Sequence, residues 1–322
     1  MAASGVRLGV LLPTRGLLMT GEAPRNADGI LSMAERAEEA GLDSVWVGDS
    51  LTAKPRLEPL TTLAAVAART KRVRLGTAVM LAALRHPVLM SHVVGTLDLI
   101  AGGRTVLAIG VGGAFNDAQE REWRAAGVDA SRRAGRLSEL VEITKRLGAG
   151  ETVSFGGRHF DLDEVGMEPR PPQEGGVPVL LACHWRAGSE AQFRRAARLG
   201  DGFIGISDPP EEYAMVADRV RAYRAEYGRD SEPMESAFYM TVNLDPDQER
   251  AAREADRYLM LYYGANIWGD RWGPFGGPAE RTVERIRRYA DAGAGTIIVR
   301  FASFDQERQM DTFLDEVAPA FG

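Results

Sequence analysis

Arg72-Val-Arg-Leu-Gly-Thr-Ala-Val79, then Arg85-His-Pro87 and Thr96-Leu-Asp-Leu-Ile-Ala-Gly-Gly-Arg104, form the stretch on which the reading of the fold turns. Within it Val73–Val79 reads as a short apolar strand, and the chain then passes through a loop into a helix. The same alternation of short apolar runs with longer amphipathic ones extends in both directions, the pattern of repeated βα units around a parallel sheet. Candidate strands are Val6–Leu12, Ser44–Val47, Val73–Val79, Thr105–Gly110, Val179–Ala182, Gly202–Ile206, Ala237–Asn243 and Thr296–Arg300. A representative helix spans Ala27–Ala40, with Ile30, Met33, Ala34 and Ala37 on one face and Gly41 as its stop. Near-continuous apolar strands suit a closed parallel barrel, whose strands are covered on both faces. An open doubly wound sheet fits less well, because no Gly-x-Gly-x-x-Gly turn follows the first strand.

Composition narrows the classes further. A chain of 322 residues with 45% apolar residues can bury a large core, and α/β barrels of this size form single domains, so residues 1–322 are expected to be one domain. A net charge of −6 leaves no polyanion footprint, which argues against nucleic acid. Cys183 is the one cysteine, so no internal disulfide can form and a cytoplasmic setting is expected. The first apolar stretch is interrupted by Pro13 and Arg15 too early for a signal sequence or a membrane span.

Two segments break the βα rhythm. Residues 148–177, rich in Gly and Pro, contain the strand-like pieces Val153–Phe155 and His159–Leu162 and read as an inserted hairpin and crossing loop ahead of the fifth barrel strand. Residues 262–278 are dense in aromatics and glycines without periodicity, and Trp268, Trp272 and Phe275 are costly to leave in water. This long aromatic loop before the last helix reads as a lid over the barrel mouth.

The opening stretch, with Gly41-Leu-Asp-Ser-Val-Trp-Val-Gly-Asp-Ser50 before it and Ala196-Ala-Arg-Leu-Gly-Asp-Gly-Phe203 after it, resembles the bacterial luciferase-like flavin-dependent oxidoreductases. The resemblance runs from about Val6 to about Arg300 and rests on five pieces in the right order. It implies an α/β TIM (β/α)8 barrel holding FMN or a deazaflavin at the C-terminal ends of its strands. The expected activity is that of a monooxygenase using reduced FMN and oxygen on a small organic molecule, with a flavin reductase as partner. The alternatives are a dehydrogenase or reductase using the deazaflavin coenzyme F-420, and a flavin-binding protein without turnover. A homodimer, paired through Leu60–Ala68 and Val88–Leu99, is also implied.

Residue by residue, the resemblance places the chemistry in the loops after the strands. Asp49 and Ser50 follow the second strand, where relatives usually carry an acidic residue and then a histidine near the reacting edge of the flavin. Serine cannot titrate near neutral pH, so His86 becomes a second catalytic candidate. Thr77, Ala78 and Val79 end the third strand where the family lays the flavin ring, often on a non-proline cis peptide. Gly110 and Gly112 offer bare backbone at the mouth, and the family's Glu-aromatic pair appears as Glu122-Trp123. Cys183, His184, Arg186 and Ser189 surround a helix start suited to a phosphate. Arg15, Arg85 and Arg300 could reach the mouth and meet a carboxylate or sulfonate. No metal-binding spacing is present among the four histidines.

Overall fold

A computed structural model describes residues 5–19, 21, 24–264 and 276–322. Its centre is a closed ring of eight parallel strands: β1 (Arg7–Leu11), β2 (Ser44–Val47), β3 (Arg74–Met80), β4 (Thr105–Ile109), β7 (Val179–Ala182), β8 (Gly202–Gly205), β9 (Glu235–Leu244) and β11 (Thr296–Phe301). Each pairs with the next, and β11 closes the ring by pairing with both β9 and β1. All eight expected strands are present within two residues of their expected ends. The closed TIM barrel is therefore the fold, with helices α1 (Asp28–Glu39), α2 (Pro59–Arg69), α3 (Pro87–Ala101), α5 (Arg133–Gly148), α6 (Glu190–Leu199), α7 (Pro210–Glu226) and α9 (Ala279–Asp291) among those around it.

Local chemistry explains where helices start and stop. Glu58 caps α2 by accepting the Thr61 amide at 2.7 Å, and Pro59 takes the first helical position, where its missing N–H costs nothing. Pro87 opens α3 in the same way, and Gly102 at φ +65° ends it in the left-handed conformation. Ile30, Met33, Ala34 and Ala37 are the buried stripe of α1, as their spacing requires.

Two apolar layers result. The larger lies between barrel and helices; the smaller fills the barrel itself with Leu11, Trp46, Ala78, Val106, Ala108, Leu180, Ile204, Ala237, Tyr239 and Ile298. Trp46 lies across β3, and a Cβ on Gly76 would stand 2.0 Å from its ring. Its indole N–H donates to Ser44 Oγ at 2.9 Å. Below this plug Glu235 accepts two hydrogen bonds from Arg74 and pairs with Arg7 at 3.6 Å, closing the N-terminal floor.

The insertion is the expected antiparallel hairpin, β5 (Val153–Gly156) with β6 (Asp161–Val165). Glu139 on α5 docks it by accepting the Arg158, His159 and Phe160 amides. Of the lid candidate, Tyr262 and Tyr263 end α8 (Gln248–Tyr263) and Gly276–Gly277 form a short strand, β10, on β9; residues 265–275, with Trp268, Trp272 and Phe275, lie outside the described residues. The described residues also include α4 (Asp117–Ala125) and α10 (Gln306–Thr312). No described helix is long and apolar enough to cross a membrane.

Candidate active site

The C-terminal ends of the strands open into a cleft of about 590 Å³, within the usual range for small-molecule sites. One wall is flat and small: Ala78 and Val79 at the end of β3, joined by a cis peptide, with Gly110 and Ala182 beside them. A Cβ on Gly110 would approach Val79 Cγ2 to 2.9 Å, so glycine keeps this wall open to a planar ring.

Asp49 stands at the mouth with its carboxylate accepting the Leu81 amide at 2.9 Å and Arg85 at 2.6 Å. Arg85 also donates to Glu58, so its charge is satisfied within the protein and is not offered to an anion. Ser50 Oγ donates to Glu122 Oε1 at 2.7 Å and accepts the Lys54 amide at 2.9 Å. The same Glu122 oxygen accepts the Thr52 and Ala53 amides, which fixes the loop of residues 50–54 from α4. Trp123, next along α4, donates to Gly113 O at 2.8 Å and packs under Gly112, setting the turn after β4. The Glu-aromatic pair thus braces two loops of the mouth.

One side of the mouth is tyrosine and cation. Tyr239, Tyr262 and Tyr263 line it with Lys54 and Arg56. Arg56 donates to Tyr262 Oη at 3.1 Å and reaches over Gly48, where a Cβ would collide with its Nη1. Buried Arg300 donates to Thr241 Oγ1 and Tyr263 Oη and lies about 5 Å from three tyrosine ring centres. Arg15 donates to the Tyr262 and Pro55 carbonyls behind the cleft. Burial acts to raise the Tyr262 hydroxyl, but Arg56, Arg300 and Arg15 outweigh it and hold the group below the usual phenol range. Burial, with help from Arg56 and Arg15, pushes the Lys54 amine down to about 8.

At the opposite end stand His184, Ser189, Arg133 and Arg195. Gln192 clamps the His184 backbone through both its N–H and its C=O. His184 Nδ1 faces buried Asp208 at 3.7 Å, whose Oδ2 meets no donor at hydrogen-bond distance among the described residues. Arg133 donates to the Gly112 and Ala130 carbonyls and Arg195 to the Ala134 carbonyl, and neither forms an ion pair among the described residues. Burial lowers the Arg195 guanidinium, which marks a desolvated charge that the protein does not neutralise.

Of the sequence candidates, Asp49, Ser50, Ala78, Val79, Gly110, Gly112, His184 and Ser189 meet in this cleft. Four do not. His86 is exposed at the start of α3 with its ring edge-on to Phe160 of the insertion at 5.6 Å, because Pro87 opens the helix there and turns the imidazole away from the mouth. Thr77 faces the helix layer and donates to Ala108 O, a result of strand alternation with Ala78 facing in. Cys183 packs in the core beside the Gln192 carbonyl, and burial pushes its thiol up to about 12. Arg186 turns outward into an ion pair with Glu212. Lys54, Arg56, Arg133, Arg195 and Tyr239 escaped the sequence reading. Lys54 and Arg56 carried a signal, lying only a few residues beyond Asp49-Ser50 in a loop after a barrel strand; Arg195 sits within a helix whose local pattern says nothing of the cleft.

Fold and cleft together define a barrel protein of the kind whose sites are built from the loops after its strands. The model of the luciferase-like monooxygenase family matches residues 6–311, and the chain belongs to that family. It is an oxidoreductase by that membership. An F420-dependent glucose-6-phosphate dehydrogenase from Amycolatopsis mediterranei (strain U-32) is 30% identical, covering 90% of this chain and 93% of its own. A protein of the same name from Nocardia farcinica (strain IFM 10152) is 29% identical over the same shares of the two chains. Among solved structures, an F420-dependent secondary alcohol dehydrogenase with an F420-acetone adduct superposes with a TM-score of 0.80 at 22% identity, covering 99% of this chain and 100% of that one. The monooxygenase RslO1 from Streptomyces bottropensis gives 0.79 at 23%, covering 98% and 100%. At such identities these structures support the fold alone.

Proposed function

We propose that this protein is a dehydrogenase or reductase that uses the deazaflavin coenzyme F-420 and acts on a small polar substrate, with sugar phosphates the first class to test. The observation that carries the reading is the match, over about nine-tenths of both chains, to relatives named for that coenzyme. The residues of the cleft fit such a group. Ala78, Val79, Gly110 and Ala182 leave a flat wall that larger side chains would fill, and Arg133 and Arg195, which form no ion pair among the described residues, offer positive charge to an anionic tail. Ser189, at the N-terminus of α6, adds a hydroxyl and the helix's free amides.

When bound, the coenzyme supplies the acceptor or donor of a hydride. Tyr239, Tyr262 and Tyr263 exclude water at the substrate end and present ring faces and hydroxyls to it. Arg56, held on Tyr262, provides the charge that meets an anionic substituent. Glu122 keeps the loop of residues 50–54, and with it Lys54, in one position during turnover.

FMN monooxygenation with a reductase partner is the second reading, favoured by the family model's own description. Equilibrium titration of the purified protein, followed by coenzyme fluorescence, tests the choice. Saturable binding of F-420 with FMN the weaker ligand supports the first reading; the reverse order supports the second. We further propose a homodimer through α3, where Leu89, Val93, Leu99 and Ile100 are exposed. Light scattering at micromolar concentration reads it directly, and a monomer mass would overturn it.

A further inference from the structure

We propose that Lys54 is the proton carrier at the substrate end of the cleft. Its neutral amine takes the hydroxyl proton of the substrate as the neighbouring C–H bond gives its electron pair to the oxidised deazaflavin as hydride. The O–H pair becomes the second bond of a carbonyl, and the new N–H bond leaves Lys54 as an ammonium that returns the proton in the reverse direction. The proposal rests on the deazaflavin reading above.

The commitment of Ser50, Asp49 and the two histidines elsewhere is the first argument. Ser50 cannot titrate near neutral pH, and its hydroxyl is committed to Glu122 and to the Lys54 amide. Asp49 is tied to Arg85 and the Leu81 amide. His86 faces Phe160 outside the cleft. His184 lines the far end, beside Asp208 and among the residues suited to the coenzyme tail.

Position and surroundings are the second. Lys54 lines the cleft on a loop fixed by Glu122, with Nζ 4.5 Å from the centre of the Tyr263 ring. Arg56 on its own loop, Arg15 after β1 and Arg300 on β11 repel its proton, while Glu122 on α4 attracts it. The net effect, with burial, is an amine poised at about 8, near the value that serves acid–base work at neutral pH. An ordinary surface lysine would be locked as the ammonium.

The test separates a proton carrier from a fixed positive charge. In the coenzyme-free protein, the Nζ-coupled NMR signal of Lys54, assigned by its loss in Lys54→Arg, is followed against pH. The expected midpoint is near 8; a midpoint in the ordinary lysine range overturns the proposal. With coenzyme and substrate, oxidation by the wild type should rise with pH through that midpoint to a plateau. Lys54→Arg keeps the charge but cannot release a proton, and should lower turnover by about 100-fold or more and abolish the limb. Added primary amines should partly restore Lys54→Ala. Near-normal turnover in Lys54→Arg, or a limb that persists there, would overturn the proposal. A wild type that neither binds nor reduces F-420 sinks the deazaflavin reading and this step with it, whereas an ordinary Lys54 midpoint with intact hydride transfer sinks this step alone.

Discussion

The floor and the mouth of this barrel are both built from arginines and aromatic rings, yet they use them in opposite ways. At the floor, Arg74 and Arg7 share the carboxylate of Glu235, and Trp46 fills the space that Gly76 leaves. Charge is matched by charge and volume by volume. At the mouth, Arg56, Arg300 and Lys54 lie against tyrosine rings and hydroxyls, while Arg133 and Arg195 donate only to backbone carbonyls among the partners seen. A charge such as that of Arg195, which pairs with no carboxylate among the described residues, is unfavourable to bury unless a ligand completes it. The difference separates the end that stabilises the fold from the end that holds the proposed site.

The largest effect should come from the floor. Trp46→Ala removes a fully buried indole from a packed layer, and an expected loss of about 3–5 kcal/mol should appear as a lower denaturation midpoint. If Trp46→Ala kept wild-type stability while coenzyme binding collapsed, the division between floor and mouth would be broken.

At the mouth the ranking reverses. Arg195→Ala should leave stability unchanged or raised, since it removes an uncompensated charge, and should weaken F-420 binding by roughly 10-fold to 100-fold, the scale of one hydrogen bond to a charged group. Equal coenzyme affinity in wild type and variant would deny Arg195 its role.

The smallest effects are expected within and beside the mouth. Ser50→Ala loosens one support of the 50–54 loop and should reduce turnover only about twofold to tenfold. His86→Ala, outside the cleft, should leave turnover and its pH profile unchanged. A large loss in His86→Ala would mean that the imidazole reaches the mouth during catalysis.

The sequence carried the barrel well because strand identity rests on local apolar runs. Val179–Ala182 and Ser44–Val47 were legible to the residue, and the hairpin insertion was legible from its broken rhythm. Backbone positions of the site, such as Ala78, Val79 and Gly110, were also within reach, because a strand's end fixes them. Side-chain direction was not. Cys183 and His184 are neighbours just past the end of β7, and one packs into the core while the other lines the cleft. Arg186, in the turn after β7, pairs outward with Glu212, while Arg195, within α6, faces the cleft. Such outcomes depend on tertiary contacts that no short pattern encodes. The exchange of His86 for Lys54 as the titrating candidate has the same origin.

On the proposed hydride-transfer reading, the cleft does not activate oxygen. The most direct measurement of this is oxygen uptake by the protein in aerated buffer with reduced FMN and, separately, with reduced F-420, each with and without a carbonyl substrate. The account predicts that reduced F-420 persists until the carbonyl compound is added and is then oxidised without oxygen uptake, while the protein adds nothing to the background oxidation of FMN. Substrate-dependent oxygen consumption with reduced FMN, and none of the carbonyl-dependent turnover with F-420, would contradict it.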